Sequence, residues 1–354
     1  MNALDLPVDA RASTTVRSYR DGDRQAWSAF VQQCPEATFF HRIEWRDLIE
    51  DVFHHRTHYL IAERAGAVAG VLPLARVKSL LFGDALVSMP FAVYGGAAVS
   101  DDTARAALHA AAADLARDLG VQHLEIRNRG ATEPDWPRQD LYVTFRKTLL
   151  PEVEANLLAI PRKQRAMVRK GIERGLVSEI DEGVGRFFEL YADNQQRHGS
   201  PAFSRRYFEA LRRAFGEDCQ VLTILDTARV PVSSVVSFYF RDEVLPYYAG
   251  DHERARSLAA NDFKYWELMR RAVEGGLRVF DYGRSKRGTG SFDFKKNWGF
   301  EPQPLHYEYV LLKRDAVPQN NPLNPKYRAM IALWRKLPRP VVDAIGPRLV
   351  RYLG

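Results

Sequence analysis

Cysteine is scarce: Cys34 and Cys219 are the two in 354 residues, far apart and without the paired spacing of a metal site. That excludes a disulfide framework and a cysteine-based zinc site, and it predicts a reducing, cytoplasmic setting. Long apolar runs are also missing. A run such as 230–240 is interrupted by serines and is strand-length, so no transmembrane helix is expected. Residues 1–12 hold acids and a proline where a secretory signal would need a basic patch and an apolar stretch. Nucleotide signatures fail as well. Gly283 and Gly288 have phosphate-loop spacing, but Thr289 stands where a lysine must follow, and Gly288-Thr-Gly290 continues as Ser-Phe-Asp instead of the dinucleotide pattern. No His-Glu-x-x-His or Gly-x-Ser-x-Gly occurs. His54, His55 and His58 cluster without the acids or cysteines a metal needs. They read as surface or packing histidines, and no metal is expected.

What the chain does have is enough apolar content, 46%, beside 27% charged residues, for a globular protein of one large or two ordinary domains. The net charge of +7 is unevenly placed. Residues 316–354 carry seven Lys/Arg against Asp343 alone, and a second basic cluster, Arg162, Lys163, Arg165, Arg169, Lys170 and Arg174, opens the second half. A near-neutral body with local basic devices points to contact with a particular anion or an anionic surface, not to diffuse nucleic-acid binding.

Periodicity divides the chain into two similar halves. In the first, a strand at 16–19 is followed by helices at 24–34 and 44–53, the latter with Trp45, Leu48, Ile49 and Val52 at helical spacing. Strands at 58–63, 68–77, 85–89 and 97–99 come next, then an alanine-rich helix capped by Asp101 or Asp102 and stopped by Gly120. Strands at 122–127 and 141–146 close the half. The second half has a basic helix at 161–174, a strand at 177–180, and helices at 184–197 and 205–215. Strands at 220–225, 232–240 and 244–249 follow, with a helix at 259–274 and strands at 277–282 and 306–312. Helices leading into a meander, a long helix and a further strand, twice over, predict a duplicated α+β fold.

Three segments carry chemistry, each with a plainer alternative. From Gly283 to Phe300 there are four glycines and five cations, directly after a strand that ends Phe280-Asp281-Tyr282. This reads as a flexible, anion-attracting loop leading into Phe294-Lys-Lys-Asn-Trp-Gly-Phe300, whose aromatics could equally be core and its lysines surface. The basic helix sets Lys163, Lys170 and Arg174 on one side, with Val168 and Ile172 opposite them, and Arg162, Arg165 and Arg169 on another. It is either a solvated face or a phosphate contact. In the tail, Tyr327, Met330, Ile331, Trp334 and Leu337 form a stripe ringed by Lys326, Arg328, Arg335, Lys336 and Arg339. That stripe either docks on the protein's own core or lies on an anionic membrane.

Ile160-Pro-Arg-Lys-Gln-Arg-Ala-Met-Val-Arg-Lys170, Arg197-His-Gly-Ser-Pro201, Tyr248-Ala-Gly-Asp251, Phe280-Asp-Tyr-Gly-Arg284 and Phe294-Lys-Lys-Asn-Trp-Gly-Phe300, in that order, resemble the FemAB-related acyltransferases. More narrowly they are similar to the branch found beside exopolysaccharide and exosortase (PEP-CTERM) genes. The resemblance covers about residues 15–315. It implies an α+β protein of two tandem GNAT-like (N-acetyltransferase-like) domains, each a mostly antiparallel sheet flanked by helices. Domains are expected at 14–150 and 151–315, the second holding the site, followed by a basic tail at 316–354.

By this resemblance the protein is an enzyme that moves an acyl or aminoacyl group from acyl-CoA or aminoacyl-tRNA to an amine of an envelope or exopolysaccharide precursor. No tightly bound cofactor is expected. The coiled-coil arm that some members insert for tRNA is missing here, since no charged heptad run occurs. The family's Phe-Lys pair falls on Phe294 and Lys295, with Lys295 placed to stabilise an oxyanion and Phe294 to exclude water. Asp281 is expected to orient the acceptor amine or take its proton. Lys163, Arg165, Arg169, Arg284 and Lys286 are expected to hold phosphate, with His198 and Tyr248 as further substrate contacts. The non-enzymatic alternative is a binding module for a phosphorylated intermediate. The expected location is cytoplasmic, with peripheral membrane contact through 326–354.

Overall fold

The computed structural model describes residues 13–79, 83–318 and 331–352. The chain forms two compact units, one comprising the described residues up to Gln139 with His306–Val317, the other Asp140–Leu305 with the described residues from Pro318 on.

In the first unit β1 (Thr15–Ser18), α1 (Arg24–Gln33) and α2 (Glu44–Phe53) precede β2 (Arg56–Thr57), β3 (Leu60–Arg64), β4 (Ala67–Leu72), β5 (Leu74–Ser79), β6 (Gly83–Ser88) and β7 (Ala98–Val99). Pro73, which has no N–H for a ladder, separates β4 and β5 within what the sequence reads as one strand. Then come α3 (Asp102–Asp118), β8 (His123–Asn128) and β9 (Arg138–Gln139). The Asp101 side chain caps α3 through the Ala104 N–H at 3.0 Å. Ala104, Leu108, Ala112 and Ala116, each four residues on, give the helix a buried apolar stripe. The described strands form two sheets, ordered β1-β3-β4-β7 and β2-β5-β6-β8-β18-β9, where β18 is His306–Leu311. β6 and β8 run parallel, and α3 makes the crossover between them.

The second unit has β10 (Tyr142–Thr148), α4 (Val153–Ala159), α5 (Arg162–Glu173), β11 (Val177–Asp181), α6 (Gly185–His198) and α7 (Arg205–Phe215). It continues with β12 (Cys219–Leu225), β13 (Pro231–Phe240), β14 (Glu243–Asp251), α8 (Ala255–Leu258) and α9 (Ala260–Glu274). β15 (Val279–Asp281), β16 (Ser285–Lys286), α10 (Gly290–Asn297), β17 (Pro302–Pro304) and, in the tail, α11 (Arg339–Val350) complete it. The sheet order is β11-β12-β13-β14-β15-β10-β16, with β17 also on β10. β14 and β15 are parallel but pair only at Glu243 with Val279 and Val244 with Phe280. From Leu245 onward β14 has left β15, and a bulge at Tyr247 bends it further. The two strands therefore open a wedge at their C-terminal ends. Its base is a core of Phe145, Phe263, Phe280, Trp298 and Phe300.

Three expectations change. Residues 140–150, expected in the first domain, lie in the second unit, where β10 pairs with β15. The strand at 306–311, expected in the second, pairs with β8 in the first. A strand's address is set by partners distant in sequence, and neither segment carries a local mark of them. Finally, the stretch from Gly283 to Phe300 is not all loop. Thr289 caps α10 by accepting from the Phe292 N–H, and eight residues of the stretch are helical. In the tail, Lys326, Tyr327, Arg328 and Met330 lie outside the described residues. Trp334 is buried, and Leu337 C=O accepts from Gln196 Nε2 of α6 at 2.7 Å.

Candidate functional site

β15 ends in Asp281, and the chain turns through Tyr282, Gly283 (φ +62°) and Arg284 before β16. α10 then folds Lys295 back onto that turn. Lys295 Nζ donates to the carbonyls of Tyr282 (2.7 Å), Gly283 (3.1 Å) and Arg284 (3.1 Å). It also lies 5.7 Å from the Phe145 ring centroid and 5.8 Å from that of Tyr282. Burial lowers its pKa to about 7, Asp281 acting against the shift and Arg284 with it. The glycine-rich turn thus faces a cation with its carbonyls and does not present its N–H groups to an anion. The Gly283 N–H is itself taken by Asp281 Oδ1 at 2.7 Å.

Asp281 is fully buried. Its Oδ2 pairs with Arg146 Nη1 of β10 at 2.7 Å, and Thr144 Oγ1 donates to Oδ1 at 3.3 Å. Arg146 in turn bridges to Glu243 on β14. One arginine and two carboxylates therefore tie together the three strands at the root of the wedge. An enclosed carboxylate of this kind is held in its ion pair.

Around the turn, Tyr265, Tyr282, Phe294 and Trp298 form an aromatic group with centroids 4.9–6.4 Å apart. Phe294 is half-buried in it. Trp298 Nε1 donates to Asp262 at 2.9 Å, and burial raises the pKa of that carboxyl. The Tyr282 hydroxyl is buried without a hydrogen-bond partner among the described residues. A lysine pulled down, a carboxyl pushed up and an orphaned hydroxyl within one aromatic group form the pattern of a functional site. Sequence reading missed Asp262, Tyr265 and Arg146. The signal available for Asp262 was indirect: a buried indole needs an acceptor, and only the fold supplies its address.

The other expected residues divide. Arg284 is exposed with its guanidinium 4.6 Å from the Tyr142 centroid, and Lys286 pairs across from Tyr142 in the β10–β16 ladder, so both flank the turn. On α5, Val168 and Gly171 are buried, and a Cβ at 171 would meet Phe263 Cβ at 2.7 Å, so this face lies on α9. Lys163 and Arg169 are exposed, Arg165 Nη1 donates to Leu158 C=O at 2.7 Å, and Ile172, expected opposite the basic face, is exposed. The Pro161 ring at the head of α5 comes within 3.2 Å of where a Gly299 Cβ would stand, which brings the basic helix to the end of the Lys295 segment. Tyr248 sits apart: its hydroxyl pairs with Tyr207 at 2.8 Å in a cluster with Tyr191, Phe203 and Phe208. His198 is exposed at the end of α6.

Residues 159–296 match the family model of the acetyltransferase (GNAT) domain, a span that starts at the end of α4 and includes Lys295. Among curated proteins none matches by sequence. In fold the chain is similar to FemX, with TM-score 0.66 and 15% identity over 90% of this chain and 100% of that one. It is also similar to the C-terminal domain of a putative lysylphosphatidylglycerol synthetase from Agrobacterium fabrum (TM-score 0.58, 14% identity, 88% and 95% covered). A tandem GNAT protein from the clavulanic acid biosynthesis pathway is similar too (TM-score 0.52, 13% identity, 87% and 100% covered). At such identities the likeness is one of fold: α+β, with two tandem GNAT-like units.

Proposed function

We propose that the second unit is an N-acyltransferase whose wedge between β14 and β15 receives the acyl carbonyl at Lys295. The observation that supports this most is Lys295 itself. It is a half-buried amine with its pKa at about 7, held by carbonyls at the mouth of a strand wedge, inside the stretch that matches the acetyltransferase model. Of its three carbonyl partners, Arg284 C=O is the one at the exposed edge. A substrate carbonyl oxygen replacing that contact would receive an N–H as negative charge develops on it. The acceptor amine attacks, the carrier C–S or C–O bond breaks as the N–C bond forms, and the leaving group takes up a proton. Asp262, raised by burial, is the nearby carboxylate suited to accept the amine's proton. Asp281 acts through the turn: by holding the Gly283 N–H and Arg146 it sets the carbonyls that grip Lys295.

An acyl-CoA donor fits the acetyltransferase match, and aminoacyl-tRNA is the alternative carrier. Lys163, Arg165, Arg169, Arg284 and Lys286 are the cations to hold the donor's phosphates, with His198 and Tyr248 as more distant substrate contacts. The acceptor is an amine of an envelope or exopolysaccharide precursor. Exposed Leu333, Val341 and Ile345, beside exposed Arg335, Lys336 and Arg348, would rest the tail on an anionic membrane where such precursors are made.

One observation favours a second reading, a binding module without turnover: all three N–H bonds of Lys295 are already satisfied. Thiol release from an acyl-CoA panel, with an amine acceptor, separates the two. Turnover that falls about 10²–10³-fold in Lys295→Ala, with substrate affinity kept, is the expected result. A loss below about tenfold would overturn the role of Lys295, and no turnover with any donor would leave the binding module.

A further inference from the structure

The first unit holds a cavity of about 690 Å³ lined by none of the residues assigned to the proposed transfer. It lies beyond the C-terminal ends of the parallel pair β6 and β8, with Asp102 and Arg105 of α3 at its edge. Two parts of the lining are built with little freedom. In one, the Gly95 and Gly96 N–H groups donate to Arg127 C=O at 3.1 and 3.0 Å, and a Cβ at 96 would stand 1.8 Å from Asn128 Oδ1. His41 is buried and neutral: its Nδ1 accepts from the Thr38 N–H at 3.0 Å, and Nε2–H donates to Gly96 C=O at 2.8 Å.

A second part of the lining, residues 128–133, is fixed by Glu308 of β18. That carboxylate is fully buried and accepts from Asn128 Nδ2 (2.7 Å), Thr132 Oγ1 (2.6 Å), and the N–H groups of Thr132 (3.0 Å) and Glu133 (3.1 Å). Glu133 Oε1 accepts from His109 Nδ1–H at 2.6 Å, which orients the glutamate and leaves His109 Nε2 buried with no partner among the described residues.

Most charges in this lining are paired. Glu36 is paired with Arg105 at 2.7 Å, and Arg127 with Glu125 at 2.8 Å. Arg129 has no acid partner among the described residues; its guanidinium lies 5.7 Å from the Tyr94 centroid. It is a half-buried cation with its hydrogen-bonding edge uncommitted, a ready receiver for a carboxylate or a single phosphate. Of the three carboxylates in the lining, Glu36 and Asp102 are both paired with Arg105, whereas Glu133 has, among the described residues, only the His109 ring beside it. A polyanion would bring its second charge to Glu133, whereas a molecule with one anionic and one ammonium group finds Arg129 for the one and Glu133 for the other.

We infer that this cavity is a binding site for a small zwitterion of the amino-acid or dipeptide class, its anion on Arg129 and its ammonium toward Glu133. The site lies wholly in the first unit and stands whether or not the second unit transfers acyl groups.

The test is calorimetric titration of the full chain with alanyl-alanine, acetate, methylammonium and inorganic pyrophosphate. The dipeptide is expected to bind more tightly than either single-charge fragment. Arg129→Ala should weaken it by about tenfold or more, Glu133→Gln should weaken it less, and Lys295→Ala should leave it unchanged. Arg129 anchors no ion pair, so its removal should leave the fold intact. Should Arg129→Ala fold poorly, Arg129→Gln, which keeps a stem over Tyr94, carries the same comparison. Equal affinity in wild type and the Arg129 variant, pyrophosphate binding in preference to the dipeptide, or no dipeptide binding at all would each overturn the inference.

Discussion

Lys295 and Asp281, expected to share a substrate, are instead divided by the turn that both of them hold. The carboxylate fixes the turn's N–H side and the ammonium fixes its carbonyl side. Only the lysine reaches the exposed edge, and burial leaves it at about 7 where a free lysine titrates at 10.5. As an oxyanion partner it must carry its proton. Turnover should therefore fall as pH rises through about 7, on top of the rise that deprotonation of the acceptor amine produces. Lys295→Arg stays charged throughout and should lose that descending limb while turning over more slowly, because a planar guanidinium does not reproduce the ammonium's three contacts. The measurement is kcat at saturating substrate across about pH 6 to 9. An unchanged descending limb in Lys295→Arg would assign it to another group.

At the scale of elements, the wedge between β14 and β15 depends on how closely α6 covers β14. At Gly250 a Cβ would stand 2.3 Å from Tyr191 N and 2.5 Å from Leu190 C, which are backbone atoms with no rotamer to yield. Gly250→Ala must push the helix off the strand, and overpacking of this kind costs roughly 1–3 kcal/mol. Chemical denaturation should show a lower midpoint with an unchanged slope. An unmoved midpoint would mean that α6 shifts freely. This glycine, in the Tyr-Ala-Gly-Asp motif, was visible in the sequence as part of a pattern, but its reason was not. The same holds more widely. Helices with regular apolar spacing, such as α2, and meander strands such as β12 and β13 follow their local pattern to within a residue or two. α10 was hidden because glycine and charge suggest a loop, whereas its helix is set by the Thr289 cap and by Trp298 and Phe300 reaching the core. Asp262 was hidden because its partner, Trp298, lies 36 residues away.

For the whole molecule, the tail is where local pattern and distant packing meet. Its apolar side chains fall into two sets, the stripe read from the sequence and a second set outside it. Trp334 is buried in the second unit, and Ile331 stands against Gly199 so closely that a Cβ there would lie 2.4 Å from Ile331 Cγ2. Leu333, Val341 and Ile345 remain exposed. The described members of the stripe read from the sequence thus anchor the tail, while a second set, not part of that stripe, faces outward with Arg335, Lys336 and Arg348. The two sets predict opposite behaviour. Trp334→Ala removes a buried indole and should lower stability by about 3–5 kcal/mol. Leu333→Glu with Ile345→Glu should leave the thermal midpoint nearly unchanged, since neither side chain packs in the core, yet weaken co-sedimentation with vesicles containing anionic phosphatidylglycerol. Each basic residue near such a surface contributes about 1 kcal/mol, so raised salt should weaken wild-type binding as well. If the double variant sediments like wild type, the exposed apolar side chains of the tail do not meet the membrane.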